Sequence, residues 1–251
     1  LATGTITRKA LDGQQKRRAM DGIEQDAESR LALIAEQISK AAARFGGPPA
    51  GVKLVAVSKT VPAERIRPFL AAGQRMFGEN RVQEALAKWP GLRAEFPDVE
   101  LHLIGPLQTN KVKEALALFD VIETVDRERL AAAIAAEQHK TGRRAQCFVQ
   151  VNIGAEPQKS GVAVAETVEF VRRCIEVHRL SIAGLMCVPP EGVPAGPYFA
   201  QLATLARAAK VDDLSMGMSS DFEVGIAMGA SHVRVGSLLF GIRPPTQFVA
   251  V

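Results

Sequence analysis

From Ile23 to Phe45 apolar residues recur every three or four positions: Ile23, Ala27, Leu31, Ile34, Ile38, Ala41 and Phe45 form one stripe. That period marks an amphipathic helix. It predicts one over about Asp21–Phe45, stopped by Gly46-Gly47 and Pro48-Pro49. Beyond the prolines the period changes. Eight short apolar runs follow, most of them rich in Val, Ile and Leu, at Lys53–Ser58, Arg75–Gly78, Glu100–Ile104, Val121–Thr124, Gln146–Asn152, Ser181–Met186, Asp213–Met216 and His232–Val235. Amphipathic helical stretches alternate with them, near Pro62–Ala72, Arg81–Lys88, Gln108–Phe119, Arg127–Lys140, Val164–His178, Tyr198–Ala209 and Ser219–Met228. Short apolar runs separated by helices describe parallel strands covered on both faces. The pattern predicts an α/β fold, a single (β/α)8 TIM barrel with an additional N-terminal helix. An open doubly wound sheet is the alternative, and the lack of a G-x-G-x-x-G after the first run counts against its dinucleotide-binding form. No repeat or long linker divides the chain, so residues 21–251 read as one barrel domain.

Composition changes this picture little. The chain has 251 residues, 47% of them hydrophobic, and a single barrel takes ~250. Lys plus Arg number 31 against 27 acidic residues, a net charge of +4. An excess this mild, much of it in the first 20 residues, does not ask for a nucleic-acid partner. Residues 1–20, "LATGTITRKALDGQQKRRAM", are basic and lack the apolar core of a secretory signal. A disordered basic N-terminal extension is the expectation; a transit-like segment or a basic arm is the alternative. No apolar run approaches the ~18 residues of a membrane span. Three unevenly spaced cysteines argue against a disulfide framework and for a reducing, cytoplasmic setting.

Barrel enzymes place chemistry at the carboxyl ends of their strands. Those ends read "VSKT", "FGENRVQE", "HLIGPLQTNK", "VNIGAEPQKSG", "LSMGMSSDFE" and "VRVGSLLFG", and nearly all carry Gly, Asn, Ser, Lys or Arg. Val55, Val57 and Lys59 share a face by period two, so a strand lining a barrel aims the Lys59 amine at the mouth. A desolvated lysine near other cations loses proton affinity and becomes a nucleophile that captures an aldehyde as a Schiff base. After the seventh strand, Gly217 and Ser219-Ser220 precede an acidic helical turn. After the eighth, Gly236-Ser237 forms a second Gly-Ser pair. The loops after strands seven and eight are where barrels hold phosphate. A lysine trap and a phosphate cradle in one mouth suit pyridoxal 5′-phosphate (PLP). Arg234 would then donate to the pyridine nitrogen and keep it unprotonated, which weakens the ring as an electron sink; a rim ion pair is its other reading.

These strand-end motifs, with the "KSG" after the fifth strand, resemble the YggS/PROSC family of pyridoxal phosphate homeostasis proteins over about Ile23 to Gly241. The resemblance implies a barrel similar to the N-terminal domain of alanine racemase, covalently bound PLP and no established turnover. It makes Lys59 the Schiff-base lysine, places Ser219, Gly236 and Ser237 at the phosphate and Arg234 at the pyridine nitrogen, and sets Asn80 beside the ring. Ser237 stands where many members have threonine, which keeps the hydroxyl. The implied role is a PLP carrier in the cytoplasm, with PLP-dependent apoenzymes as recipients and no catalytic residue assigned; a lone barrel with a covering N-terminal helix reads as a monomer.

Other residues are weighed on their own. Met218 adjoins the phosphate loop and is carried as a cofactor contact, whereas Met186 and Met216 read as packing. His102 and His232 lack metal-ligand spacing and read as structural, so no metal is expected. Glu79 is either an acid/base group or an ion-paired core carboxylate. Lys159-Ser160-Gly161 either lines the mouth or forms a turn. An amino-acid racemase is the alternative function, but racemisation needs a base on each face of its intermediate, and the single tyrosine, Tyr198, falls near the "PPEGVPAGP" loop. A Schiff-base aldolase is a third reading.

Overall fold

Each of the eight apolar runs forms a strand, and the strands close on one another. The computed structural model describes residues 26–48 and 51–241. The segment 1–20, expected to be a basic extension, lies outside the described residues. Helix α1 spans 26–45. It is followed by β1 (Lys53–Val57), α2 (Ala63–Ala71), β2 (Met76–Glu79), α3 (Val82–Glu95), β3 (Glu100–Leu103), α4 (Val112–Leu118), β4 (Val121–Val125) and α5 (Glu128–Thr141). The second half holds β5 (Gln146–Asn152), β6 (Val162–Ala163), α6 (Thr167–Glu176), β7 (Ile182–Cys187), α7 (Gly196–Ala209), β8 (Asp213–Met218), α8 (Phe222–Ala227), β9 (His232–Val235) and α9 (Ser237–Phe240). Every pairing is parallel: β1 lies between β2 and β9, and β4 pairs with β5 to complete the ring. This is a closed (β/α)8 barrel, with β6 a two-residue addition beside β5.

Two different interiors result. Between strands and helices lies a continuous apolar core that includes Leu70, Phe77, Trp89, Leu101, Ile134 and Phe199. The lumen is different. Its apolar part is small, formed by Val121, Phe148 and Met186. Around it sit the buried polar side chains His102, Glu123, Ser215, His232 and Arg234. The α1 stripe docks on the main core through Ala27, Ile34, Ile38 and Ala41, but Phe45 at its end is exposed, with the Arg44 guanidinium over its ring at 5.0 Å.

Two helix boundaries differ from expectation for a visible reason. Helix α3 runs through Pro90 to Glu95, seven residues past the expected end at Lys88. A proline inside a helix loses one hydrogen bond, and here the burial of Trp89 and Leu92 on either side offsets it. Helix α8 begins at Phe222 rather than Ser219. Gly217 has φ +91°, and the Asp221 carboxylate accepts the Met218 N–H at 2.6 Å. This local turn leaves Ser219 and Ser220 ahead of the helix. Tyr198 belongs to α7, where it packs on the core.

Candidate functional site

The carboxyl ends of the strands surround a cleft of ≈ 840 Å³. Lys59 and Asn80 line it from the ends of β1 and β2, and Met218 and Ser219 from the end of β8. Arg234, Gly236 and Ser237 line it from β9 and the start of α9. All seven residues singled out in the sequence therefore face one cavity. Lys159 and Ser160 also line it, so the segment after β5 is part of the mouth.

Local structure explains how each is held. Ser58 and Lys59 follow β1 in a tight turn in which the Val61 N–H donates to the Ser58 carbonyl at 3.0 Å. Lys88 of α3 clamps this turn: its Nζ donates to the Ser58 carbonyl at 2.8 Å and the Val61 carbonyl at 3.0 Å. Thr60 sits in the left-handed region at φ +62°, an uncommon place for a β-branched residue. The Glu84 carboxylate accepts its N–H. Beneath the turn Glu79 is buried. It accepts from Ser58 Oγ at 2.6 Å and Trp89 Nε1 at 3.0 Å, and pairs with Lys88 at 2.9 Å. Burial pushes its pKa up, against the Lys88 charge and these hydrogen bonds. Glu79 is thus the ion-paired core carboxylate of the two readings.

Asn80 is positioned by close packing. Gly105, after β3, lies so near that a Cβ there would meet the Asn80 carbonyl oxygen at 2.2 Å. Across the cleft the two Gly-Ser loops touch: the Gly236 N–H donates to Ser219 Oγ at 3.3 Å. Arg234 is almost wholly buried; its Nη2 donates to the Cys187 carbonyl at 2.8 Å and its Nη1 to Ser215 Oγ at 2.6 Å.

The sequence reading had not singled out Glu123 or Ser215. Glu123 accepts from Ser215 Oγ at 2.5 Å and is bonded to His102 Nδ1 at 2.7 Å. Burial alone would raise its pKa, but His102, Arg234 and Ser215 hold it well below the usual carboxylate range. His102 bonds Glu100 through Nε2 at 2.9 Å. Burial acts to lower its pKa, yet the two carboxylates raise it to about 9. The signal for Glu123 was present: a glutamate in the wholly buried strand "VIETV" needs a partner.

A second cleft, ≈ 910 Å³, opens at the other end of the barrel between α1 and the start of β1. Its walls are mainly apolar, with Leu31, Ile38, Val52 and Leu54, and hold no lysine or arginine. The convergent cationic and hydroxyl groups lie in the first. Among the described residues no cluster of His, Cys, Asp or Glu could hold a metal, and no helix is long and apolar enough to cross a membrane.

The fold and mouth together define a parallel (β/α)8 barrel with an amine, a guanidinium and two Gly-Ser loops at the carboxyl ends of its strands. A family model of the alanine racemase N-terminal domain matches residues 30–244. A pyridoxal phosphate homeostasis protein of Aquifex aeolicus is 40% identical over 223 residues, 85% of this chain and 97% of the relative. The structure of PipY from Synechococcus elongatus with PLP bound is 38% identical, with a TM-score of 0.76, covering 86% of this chain and 100% of that one. Alanine racemase from E. faecalis shares the fold alone, at 15% identity and a TM-score of 0.61; the match covers 92% of this chain and 60% of the racemase. The chain belongs to the alanine racemase N-terminal domain family and, within it, to the pyridoxal phosphate homeostasis proteins.

Proposed function

We propose that this protein binds PLP in the 840 Å³ cleft and acts in PLP homeostasis, holding the cofactor rather than turning over a substrate. The observation that carries this reading is that Lys59, Arg234 and both Gly-Ser loops line one cleft. The donor set fits the group. Backbone N–H groups and hydroxyls suit a phosphate, and a guanidinium, which cannot take a proton away, suits an unprotonated pyridine nitrogen. Gln150 Oε1 adds a buried acceptor on the cleft wall that no protein donor reaches.

Bound PLP supplies an aldehyde that an amine captures as a Schiff base. Lys59 is that amine, held by the turn that Lys88 clamps. Ser219, Gly236 and Ser237 would hold the phosphate with Met218 adjoining that loop, Asn80 would lie beside the ring, and Arg234 would donate to its nitrogen. A cleft that also admits a second amine would suit release of the cofactor, with PLP-dependent apoenzymes as the proposed recipients. The chain works as a cytoplasmic monomer, with residues 21–251 as the PLP-binding unit. The carrier reading is favoured over the racemase because Tyr198 packs on the core from α7 and is absent from the cleft lining.

The test is spectroscopic. Purified protein with PLP shows a visible band that borohydride abolishes and Lys59→Ala never forms. A band unaffected by Lys59→Ala refutes the assignment. D-alanine formed from L-alanine at ordinary enzymatic rates, above about 1 per second, refutes the carrier reading and favours the racemase.

A further inference from the structure

The barrel lumen carries a line of alternating charges from the cleft to the opposite rim. Arg234 on β9 is linked through Ser215 on β8 to Glu123 on β4, and Glu123 through His102 on β3 to Glu100. Arg234, Ser215, Glu123 and His102 are all buried. A ligand cleft does not require so costly an arrangement beneath it, and a lumen filled with apolar side chains is the ordinary solution.

Each proton in the line has a determined place. Glu123 is ionised and accepts on both oxygens, at 2.7 Å from His102 Nδ1 and 2.5 Å from Ser215 Oγ. The Ser215 proton therefore goes to Glu123, and only the lone pairs of its oxygen remain for Arg234. The guanidinium is then held at two points, Nη1 on Ser215 and Nη2 on the Cys187 carbonyl. With Nη1 also 3.8 Å from Glu123 Oε2, its charge is partly offset from the side away from the cleft. His102, with a carboxylate on each nitrogen, keeps Glu123 ionised.

Resting on the assignment of Arg234 to the pyridine nitrogen, we propose that Glu123 and Ser215 are positioning residues for that contact. They fix the orientation of the Arg234 guanidinium and set the positive charge it presents to the ring. His102 supports them from the next position along the line. A hydroxyl that turned its proton toward Arg234 would break the Nη1 bond and free the guanidinium to rotate.

The experiment compares wild type with Glu123→Gln, Ser215→Ala and Ser231→Ala. Ser231 is a buried hydroxyl bonded to the Leu214 N–H and to His232, off the line to Arg234. Measured are the PLP dissociation constant, the position of the visible band of bound PLP, and the melting temperature. Glu123→Gln and Ser215→Ala are expected to weaken PLP about tenfold and to displace the band, since a lost charge-assisted contact is worth about one decade. Ser231→Ala is expected to move the melting temperature alone. Should Glu123→Gln fail to fold, Ser215→Ala decides, because it removes a single oxygen. Folded variants with wild-type affinity and an unmoved band overturn the inference while leaving PLP binding intact. Wild-type protein that takes up no PLP overturns the cofactor reading itself, and the inference with it.

Discussion

Replacing Lys88 by methionine tests how the Lys59 turn is held. Lys88 Nζ bonds two carbonyls of the turn and pairs with Glu79 and Glu84. Its side chain is 9% exposed and that of Glu79 is 0% exposed. Lys88→Met leaves the Glu79 carboxylate buried without its cation, and breaking a buried pair from one side costs about 3–5 kcal/mol. For a chain of this length that lowers the melting temperature by roughly 10 °C. Adding Glu79→Gln removes the stranded charge, so the double variant should recover about 2 kcal/mol of the loss. Urea denaturation of wild type, both single variants and the double gives the coupling directly. The pH dependence has a definite sign. Burial raises the folded-state pKa of Glu79, and without Lys88 it rises further. The defect of Lys88→Met should therefore be smaller near pH ~5, where the carboxyl can protonate, than near pH ~8. Loss of PLP capture should accompany the loss of stability, because the turn that presents Lys59 is freed. A single variant within about 1 kcal/mol of wild type, or a double variant no better than Lys88→Met, would refute this account of the turn.

Three further outcomes are expected. His102 has a folded-state pKa of about 9 against 6.5 for the free side chain. Its stabilising effect, about 3 kcal/mol at most, is complete below the unfolded value and is lost as pH rises through the folded one. Melting temperature should therefore fall on that alkaline limb, and His102→Gln should flatten it; an unchanged limb in the variant contradicts the imidazolium. Gly105→Ala places a Cβ 2.2 Å from the Asn80 carbonyl oxygen. It should cost about 1–3 kcal/mol and weaken PLP, and a variant with native affinity would remove Asn80 from the site. Cys147, Cys174 and Cys187 are buried, and burial raises each thiol to about 12. A thiol reagent should label them only on unfolding; rapid labelling of native protein would contradict this.

The barrel was legible because most of its strands are short apolar runs of Val, Ile and Leu at regular intervals between helical stretches, and all eight fall within a few residues of their expected places. The mouth was legible for a related reason. Backbone turns at strand ends need Gly, and anion cradles need hydroxyls, so both leave marks in adjacent residues. What escaped depends on distance along the chain. Glu123 and Ser215 are 92 residues apart and meet only because β4 and β8 face each other across the lumen. Helix α3 was expected to end at Lys88 and continues through Pro90, because the burial of Trp89 against Phe77, ring centroids 5.1 Å apart, is a tertiary contact that local propensity does not show. The two-residue strand β6 is too short to carry a period at all.

The central claim is that one amine at the barrel mouth holds the cofactor. Borohydride reduction of the PLP-loaded protein, followed by proteolysis and mass spectrometry, locates that amine. The account predicts a single pyridoxyl-phosphate adduct on Lys59. An adduct confined to Lys159, or spread over surface lysines with Lys59 unmodified, would contradict it.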